Sequence, residues 1–268
     1  MPIRLVVSDV DGTLVTPEKT LTPATVAAVE RLRARGIAFT VASSRPPVGL
    51  RPLVAALGLT LPLGAFNGST IVGPDLAVLA EAFVPEAAAR IAAERFAEGG
   101  IDLWVFADGA WWLSDPSAPY TDLERRTLQA EPRVAADLAP LLDRAAKLVG
   151  VSRDAARLAA CETALAAELG ARAAVHRSQT YYLDVTPPGA DKGRFVARLA
   201  HDLGIPAAEV ATLGDMENDV AMFAASGLGI AMGNAADPVK RAARVVTEAN
   251  DADGFARAVA RYVLGEGD

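Results

Sequence analysis

The stretch Asp9-Val-Asp-Gly-Thr-Leu14 follows directly on the apolar run from Ile3 to Val7. The apolar run predicts a buried strand, and alternate side chains of an extended chain point to the same side. We therefore expect Asp9 and Asp11 to share a face where this strand ends. Two carboxylates at that separation repel each other unless a cation lies between them or one of them stays protonated. A site that handles a phosphoryl group has a use for either arrangement.

Two other interpretations of this stretch need to be considered. Asp-x-Asp-Gly also occurs where a strand simply exits into a turn, because Asp and Gly favour turns. An EF-hand calcium loop would need glycine at the sixth position and glutamate at the twelfth. Counted from Asp9, those positions hold Leu14 and Thr20, so the calcium loop is excluded. The plain turn stays open at this point.

Composition limits the class of protein. A chain of 268 residues is long enough for a sizeable core in one large or two modest domains. No apolar stretch approaches the ~18 residues of a membrane span. The N-terminus shows no secretory signal, and a single cysteine, Cys161, excludes an intrachain disulfide and fits a reducing compartment. We expect a cytoplasmic protein that does not act at a membrane.

Charge and histidine content narrow the partners. A net charge of −7 argues against nucleic acid, whose partners carry a basic stripe, but does not exclude small anionic substrates. The two histidines, His176 and His201, are far apart and lack companion cysteines, which argues against zinc. A metal here should be a hard ion held by oxygen, and magnesium is the default for phosphate chemistry.

The order of predicted elements suggests an interrupted fold. Strand and helix patterns alternate in the first eighty residues and again from about residue 192, which indicates βαβ units and a parallel sheet. Continuous helices are predicted over Pro47–Leu57 and Glu217–Ala225. We predict a doubly wound, Rossmann-like α/β core formed by residues 1–84 and 187–268. An inserted α/β cap of residues 85–186 would interrupt it.

Three further polar clusters fall at predicted strand ends or at the start of the next helix. They are Ser43, Ser44 and Arg45; Lys192; and Asp215, Asn218 and Asp219. Each has a plain structural explanation: the serines and Asp215 could be helix N-caps, and the lysine a solvated side chain. Their joint position at the carboxyl ends of parallel strands, where open α/β sheets bind ligands, favours a single site.

The ordered motifs point to a family. Asp9-x-Asp-Gly-Thr, Ser43-x-Arg, Lys192 and Gly214-Asp-x-x-Asn-Asp219 together closely resemble the haloacid dehalogenase superfamily of phosphotransferases. The run from Tyr181 to Val185 and the motifs at 67–68 and 231–235 are similar to its Cof-type sugar-phosphatase branch, which has an α/β cap. The resemblance spans nearly the whole chain. One departure concerns the second motif, where the branch commonly has Thr-Gly-Arg. Here a serine side chain at Ser44 stands where the backbone should approach the ligand.

The resemblance implies a magnesium-dependent phosphatase that hydrolyses small phosphate monoesters, with sugar phosphates as the expected metabolites. Asp9 would attack phosphorus and form an aspartyl-phosphate. Asp11 would protonate the leaving alkoxide and then deprotonate the hydrolytic water, and neighbouring negative charge is expected to raise its pKa for that purpose. A phosphomutase on the same scaffold and a phospho-ligand-binding protein without turnover are the alternatives.

The resemblance also implies the other roles in the site. The metal ligands would be Asp9, the backbone carbonyl of Asp11, Asp215 and Asp219, with Asp219 lying either in the shell or just outside it. Lys192 would neutralise the nucleophile and the phosphoryl oxygens. The phosphate would contact Ser43, the Ser44 backbone and Asn218. Arg45 would either reach substrate or cap, or form a structural ion pair.

The cap carries weaker signals. Its aromatic residues could stack on a sugar ring or form core, and core is the commoner role for alternating aromatics on a hairpin. Its arginines could grip a second anionic group or lie on solvated faces. The residues concerned are Trp111, Trp112, Tyr120, Arg125, Arg126 and Arg177.

Overall fold

The computed structural model of the chain describes residues 2–189 and 191–266. The strands, in chain order, are β1 (Leu5–Ser8), β2 (Ala38–Val41), β3 (Leu63–Ala65), β4 (Thr70–Val72), β5 (Val78–Glu81), β6 (Asp102–Ala107), β7 (Ala110–Leu113), β8 (Arg133–Val134), β9 (Lys147–Val151), β10 (Ala174–Gln179), β11 (Tyr182–Thr186), β12 (Val210–Gly214), β13 (Leu228–Ala231) and β14 (Val245–Val246). The α-helices are α1 (Pro23–Ala34), α2 (Arg51–Leu57), α3 (Glu86–Glu98), α4 (Thr121–Leu128), α5 (Ala155–Leu169), α6 (Lys192–Asp202), α7 (Val220–Ala224), α8 (Asp237–Ala242) and α9 (Gly254–Ala258).

One sheet, here called the core sheet, has the strand order β14-β13-β12-β1-β2, and each neighbouring pair is parallel. All four residues of β1 are buried, as expected for a strand covered on both faces. In register, Ser8 lies opposite Leu213 of β12. The residues that follow these two strands therefore emerge side by side at one edge. The predicted α/β class with a parallel central sheet is confirmed.

A second sheet, here called the cap sheet, is built from strands between residues 102 and 186. Its order is β10-β11-β9-β6-β7-β8, and its pairs are antiparallel except for β7 with β8. At the β6–β7 turn, Asp108 and Gly109 both have positive φ, of 54° and 66°, as a two-residue hairpin turn requires. The helices α3 and α5 pack on this sheet. The division of the chain at residues 85 and 186 stays a prediction.

A small antiparallel sheet of β3, β4 and β5 follows the core strand β2. It is tied to the core sheet by a parallel bridge between Ala42 and Gly64. Phe66, which directly follows β3, contacts the cap sheet: the centroid of its ring lies 5.3 Å from that of Phe106 on β6. The loop that carries Ser43 to Arg45 thus lies between the two larger sheets.

Two predicted helices are less regular than expected. The first begins as a 3-10 turn over Pro47–Leu50 and becomes α-helical at Arg51. Pro52 has no N–H to donate to the carbonyl four residues earlier, so it fits only the first turn of an α-helix. The second begins as a 3-10 turn over Glu217–Asp219 and continues as α7. Among the described residues no helix combines the length and the apolar character needed to cross a membrane.

Candidate active site

The predicted convergence of distant acids is present. Asp9 follows β1 and Asp215 follows β12, and these strands are neighbours in the core sheet. One carboxylate oxygen from each of Asp9, Asp215 and Asp219 lies within 4.8 Å of the others, and all three residues are buried. Three buried acids at this separation need a cation close by unless one of them stays protonated.

Lys192 supplies one positive charge inside the cluster. Its Nζ lies 2.5 Å from Asp9 Oδ1 and 2.6 Å from Asp219 Oδ1, and the residue is 1% exposed. The lysine begins α6, whose N-terminus is capped by the Asp191 side chain. Burial alone would lower the pKa of Lys192, but the carboxylates of Asp219 and Asp9 outweigh it and raise that pKa. The side chain is therefore an ammonium group at neutral pH.

Asp219 holds this arrangement in place. While Oδ1 accepts from Lys192, Oδ2 accepts the backbone N–H groups of Asp215 at 2.9 Å and Met216 at 3.0 Å. A Cβ atom on Gly214 would lie 2.3 Å from the Asp219 Cβ, so this approach requires glycine. Both Asp219 oxygens thus accept hydrogen bonds from the protein.

Asp215 is oriented by two residues to which the sequence assigned no role. Its Oδ1 accepts the Thr13 hydroxyl at 3.1 Å, and its Oδ2 accepts the Asn234 amide at 3.2 Å. The same Asn234 nitrogen donates to the Gly12 carbonyl at 2.9 Å. Gly12 has φ +88°, and a Cβ there would lie 2.2 Å from Asp215 Oδ2. Asn234 lies in the 231–235 motif, and that motif was the one feature of the sequence that could have pointed to it.

Burial and mutual repulsion make these acids weak. Burial raises the pKa of Asp9 to about 7, with Lys192 opposing the rise and Asp219 adding to it. The pKa of Asp215 is raised to about 8 by burial and by the charges of Asp9 and Asp219. Each would ionise more readily beside a further cation. The donors are all oxygen atoms, which suits magnesium and not a soft metal.

Asp11 lies in a different environment from the one expected. Arg45 binds both of its oxygens, with Nε 2.7 Å from Oδ2 and Nη2 2.8 Å from Oδ1. Lys19 Nζ lies 2.8 Å from Oδ1. Burial alone would raise the pKa of Asp11, but Arg45 and Lys19 hold it well below its usual range. The expectation of a raised pKa was wrong, because the side chain turns toward these two cations. For Arg45 the structure shows the ion pair.

The remaining predicted residues lie around the same edge. Ser43 Oγ accepts the Arg45 backbone N–H at 3.1 Å. The carbonyl of Ser44 accepts from Lys147 Nζ of the cap sheet at 3.0 Å, a contact that the sequence did not suggest. Asn218 Nδ2 donates to Asn67 Oδ1 at 3.0 Å. Its Oδ1 is buried and has no hydrogen-bond partner among the described residues, so an acceptor is available there.

Comparison with known proteins identifies the family. The family model of haloacid dehalogenase-like hydrolases matches residues 6–259. The chain belongs to this family. It is 28% identical over 274 residues to the pyridoxal phosphate phosphatase YbhA of Escherichia coli, covering 98% of this chain and 100% of that protein. It is 31% identical over 233 residues to the HMP-PP phosphatase of Cronobacter sakazakii, covering 87% and 85%.

The solved structures agree with this result. A haloacid dehalogenase-like hydrolase from Bacteroides thetaiotaomicron superposes with a TM-score of 0.84 at 30% identity, covering 97% of this chain and 99% of that one. The predicted membership in the superfamily and its Cof-type branch is confirmed, and so is the prediction of a phosphatase.

In this haloacid dehalogenase-like hydrolase a cavity of about 40 Å³ lies beside Asp11. One side is formed by the loop with Ser44 and Arg45, and the other by cap residues that include Glu124 and Lys147. Lys147 is buried and also pairs with Asp184 at 2.6 Å. Sequence reasoning missed both cap residues, since a charged residue on a helix or strand is usually solvated.

The aromatic residues of the cap pack mainly against one another. Trp111 is buried and packs edge-on against Trp104, with ring centroids 4.9 Å apart. Tyr120 stacks on Tyr181 at 4.3 Å. The half-buried Trp112 donates its indole N–H to a backbone carbonyl of its own hairpin.

The arginines of the cap lie at the surface of this hydrolase. Arg125 pairs with Glu131, and Arg177 pairs with Glu162, both at 2.7 Å, while Arg126 is exposed. These observations favour solvated faces over a second anion site.

Proposed function

We propose that the chain is a magnesium-dependent phosphatase that hydrolyses small phosphate monoesters, sugar phosphates among them, through an aspartyl-phosphate on Asp9. The observation that carries this proposal is the buried cluster of Asp9, Asp215, Asp219 and Lys192 at the carboxyl edge of the core sheet. Relatives named for pyridoxal phosphate and HMP-PP support a small phosphorylated substrate.

The residues fit a magnesium ion. Asp9 and Asp215 would hold it with their carboxylates, together with the backbone carbonyl of Asp11. Because both Asp219 oxygens already accept hydrogen bonds, we place Asp219 beside the metal shell, where it orients Lys192 and the 215–216 backbone. When bound, the ion neutralises charge on the phosphoryl oxygens.

In the first step a carboxylate oxygen of Asp9 attacks phosphorus. The P–O bond to the alcohol breaks, and the leaving oxygen takes its electron pair together with a proton from Asp11. Lys192 favours the ionised form of Asp9 and would neutralise charge on the phosphoryl oxygens. At ~4 Å and an effective dielectric constant near 20, the attraction between the Lys192 ammonium and a phosphoryl oxygen is worth at most about 4 kcal/mol before desolvation is subtracted.

In the second step water attacks the aspartyl-phosphate, and Asp11 accepts its proton. The two hydrogen bonds from Arg45 favour the carboxylate form of Asp11, which supports its role as the base in this step. To act as an acid in the first step, Asp11 must carry a proton, so its pairs with Arg45 and Lys19 have to loosen when substrate enters. Phosphate leaves as Asp9 is regenerated.

The test is the substitution Asp9→Asn, which removes the nucleophile while keeping its shape. We expect phosphate release from small phosphate esters in magnesium to fall at least about a thousandfold. Thermal unfolding should still show a cooperative transition, and the exposed Asp143→Asn should keep full activity. Phosphate release near the wild-type rate in Asp9→Asn would contradict the aspartyl-phosphate. Free phosphate as product, rather than an isomeric ester, excludes the mutase alternative.

A further inference from the structure

Glu124 is a buried carboxyl group that the proposed mechanism does not use. It lies on α4, is 9% exposed and lines the cavity beside Asp11. The Tyr182 hydroxyl donates to its Oε2 at 3.1 Å. The two buried cations of that cavity are paired with other acids, Arg45 with Asp11 and Lys147 with Asp184. Within residues 2–189 and 191–266, Glu124 therefore has no ion-pair partner of its own.

Burying the Glu124 carboxyl group without a paired cation costs free energy of folding. Burial raises the pKa of Glu124 to about 7, and Lys147 and the Tyr182 hydrogen bond only partly oppose the rise. An ionised carboxylate offers about four acceptor positions, and Tyr182 occupies one. Buried acids that lack a paired cation are uncommon because their desolvation is not compensated within the protein. A ligand that donates a hydrogen bond would supply the missing compensation.

The position of Glu124 indicates which part of the substrate it would meet. Asp11, the proposed proton donor to the leaving oxygen, lines the same cavity. The charge of Asp11 also contributes to the raised pKa of Glu124, so the two groups are close enough to interact. An alcohol held at Asp11 would therefore extend into this cavity and bring its carbon skeleton beside Glu124.

The other walls narrow the chemistry of that alcohol. The Lys147 ammonium has three N–H donors, of which Asp184 and the Ser44 carbonyl take two. Ser178 and Gln179, which also line the cavity, bring a hydroxyl and an amide. Walls that offer donors and acceptors together match hydroxyl groups, which both donate and accept.

We propose that Glu124 accepts a hydrogen bond from a hydroxyl group of the leaving alcohol, and so selects polyol and sugar phosphates over plain alkyl phosphates. This role rests on the proposed function of the site. A volume of about 40 Å³ has room for only a few water molecules. The alcohol thus enters with the cap displaced, and Glu124 contacts it as the cap returns.

Glycerol 1-phosphate and n-propyl phosphate test this role, because they differ only in two hydroxyl groups. The measured quantity is the ratio of kcat/KM for the first ester to that for the second, in magnesium. A hydrogen bond to a charged group corresponds to roughly 10–100-fold in rate. We expect wild-type protein to prefer glycerol 1-phosphate by about that factor, and Glu124→Leu to lower the ratio at least tenfold. Glu124→Gln, which keeps the shape and the bond to Tyr182, should lower it at least threefold.

Glu131→Gln, at an exposed position just beyond α4, is the matched control and should keep the wild-type ratio. The role is overturned if the kcat/KM ratio falls by less than these factors in the Glu124 variants. That includes a variant that hydrolyses both esters more slowly by the same factor, because its ratio is then unchanged. If Glu124→Leu shows no cooperative unfolding transition, the Gln variant decides.

The two proposals fail in different ways. No phosphate release from p-nitrophenyl phosphate by wild-type protein in magnesium, or undiminished release by Asp9→Asn, defeats the proposed function and this role with it. Wild-type hydrolysis of p-nitrophenyl phosphate without a preference for glycerol 1-phosphate defeats the recognition role alone.

Discussion

Asp11 and Asp215 show how neighbours decide the character of identical side chains. Both are largely buried at the same edge of the core sheet. Asp11 faces two cations, which hold its pKa well below the ordinary value, whereas burial and two neighbouring carboxylates raise the pKa of Asp215 to about 8. The spacing of Asp9 and Asp11 suggested that these two acids would perturb each other most. The carboxylates that cluster with Asp9 are instead those of Asp215 and Asp219, which come much later in the sequence.

The substitution Asp215→Ala should weaken magnesium binding and activity together. It removes a carboxylate that Thr13 and Asn234 hold in a fixed orientation. We expect the magnesium concentration for half-maximal activity to rise at least about tenfold, the scale on which even outer-shell changes act. Asp237→Ala, at an exposed position on α8, is the control. An unchanged magnesium titration would remove Asp215 from the ligand set.

The raised pKa values predict how metal-free stability depends on pH. For Asp9 and Asp215 the folded-state pKa, about 7 and about 8, lies above the unfolded value of 3.8. Between these values the folded protein binds more protons than the unfolded chain, so stability falls as pH rises. With EDTA present, Tm should fall by about 2 °C or more from pH 6 to pH 8.

Magnesium should reverse this trend, because a metal displaces protons from its ligands. The Tm increase on adding magnesium is therefore expected to be larger at pH 8 than at pH 6. Asp215→Asn, which cannot ionise, should reduce the fall of Tm with pH in EDTA, while Asp9 and Glu124 still contribute to it. A Tm in EDTA that rises with pH over this range would show that the acids are not weakened as described.

At the scale of elements, the strands could be predicted from the sequence, but the packing of helix α4 against the core could not. The apolar runs before Asp9 and Asp215 predicted the strands β1 and β12. Because parallel strands end at the same edge of a sheet, their positions also predicted that the two acids lie close together. Glu124 lies among charged neighbours on α4 and is typical of a solvated residue. It is buried because α4 packs against the 47–50 turn, where a Cβ on Gly49 would lie 2.7 Å from a Leu128 methyl group, and because Tyr182 of β11 contacts it. Local pattern carries no signal for such a contact.

The pairing of Lys147 on β9 with Asp184 on β11 gives a prediction at this scale. Both residues are buried, and Asp184 Oδ1 has no hydrogen-bond partner among the described residues. Lys147→Met would leave the Asp184 charge uncompensated, which costs about 3–5 kcal/mol. We expect Tm to drop by about 6 °C or more.

A second substitution separates the charge effect from packing. Lys147→Met combined with Asp184→Leu removes both charges and should recover most of the lost stability. Lys240→Met on α8, a half-buried lysine, should change Tm little. A double variant no more stable than the single one would show that packing, and not the unpaired charge, sets the cost.

At the scale of the whole molecule, the cavity of about 40 Å³ beside Asp11 is small for a sugar, so the proposed turnover would require the cap sheet to move relative to the core sheet. All three tryptophans, Trp104, Trp111 and Trp112, lie on strands β6 and β7 of the cap sheet. Trp104 packs edge-on against Tyr182, which hydrogen-bonds Glu124 in the cavity wall. Tryptophan fluorescence therefore reports on the cap, whereas a phosphate analogue would bind at the core residues Asp9 and Lys192.

We expect orthovanadate with magnesium to produce a saturable change in tryptophan fluorescence. The reason is that an anion held by Lys192 in the core biases the cap toward the position in which its walls meet that ligand. Lys192→Met should abolish the change by removing the cation that binds the anion, while Lys240→Met should retain it. Vanadate binding that calorimetry detects without any fluorescence change would show that the cap does not respond to occupancy of the core site. Substrate would then have to reach Asp9 by a route other than cap displacement.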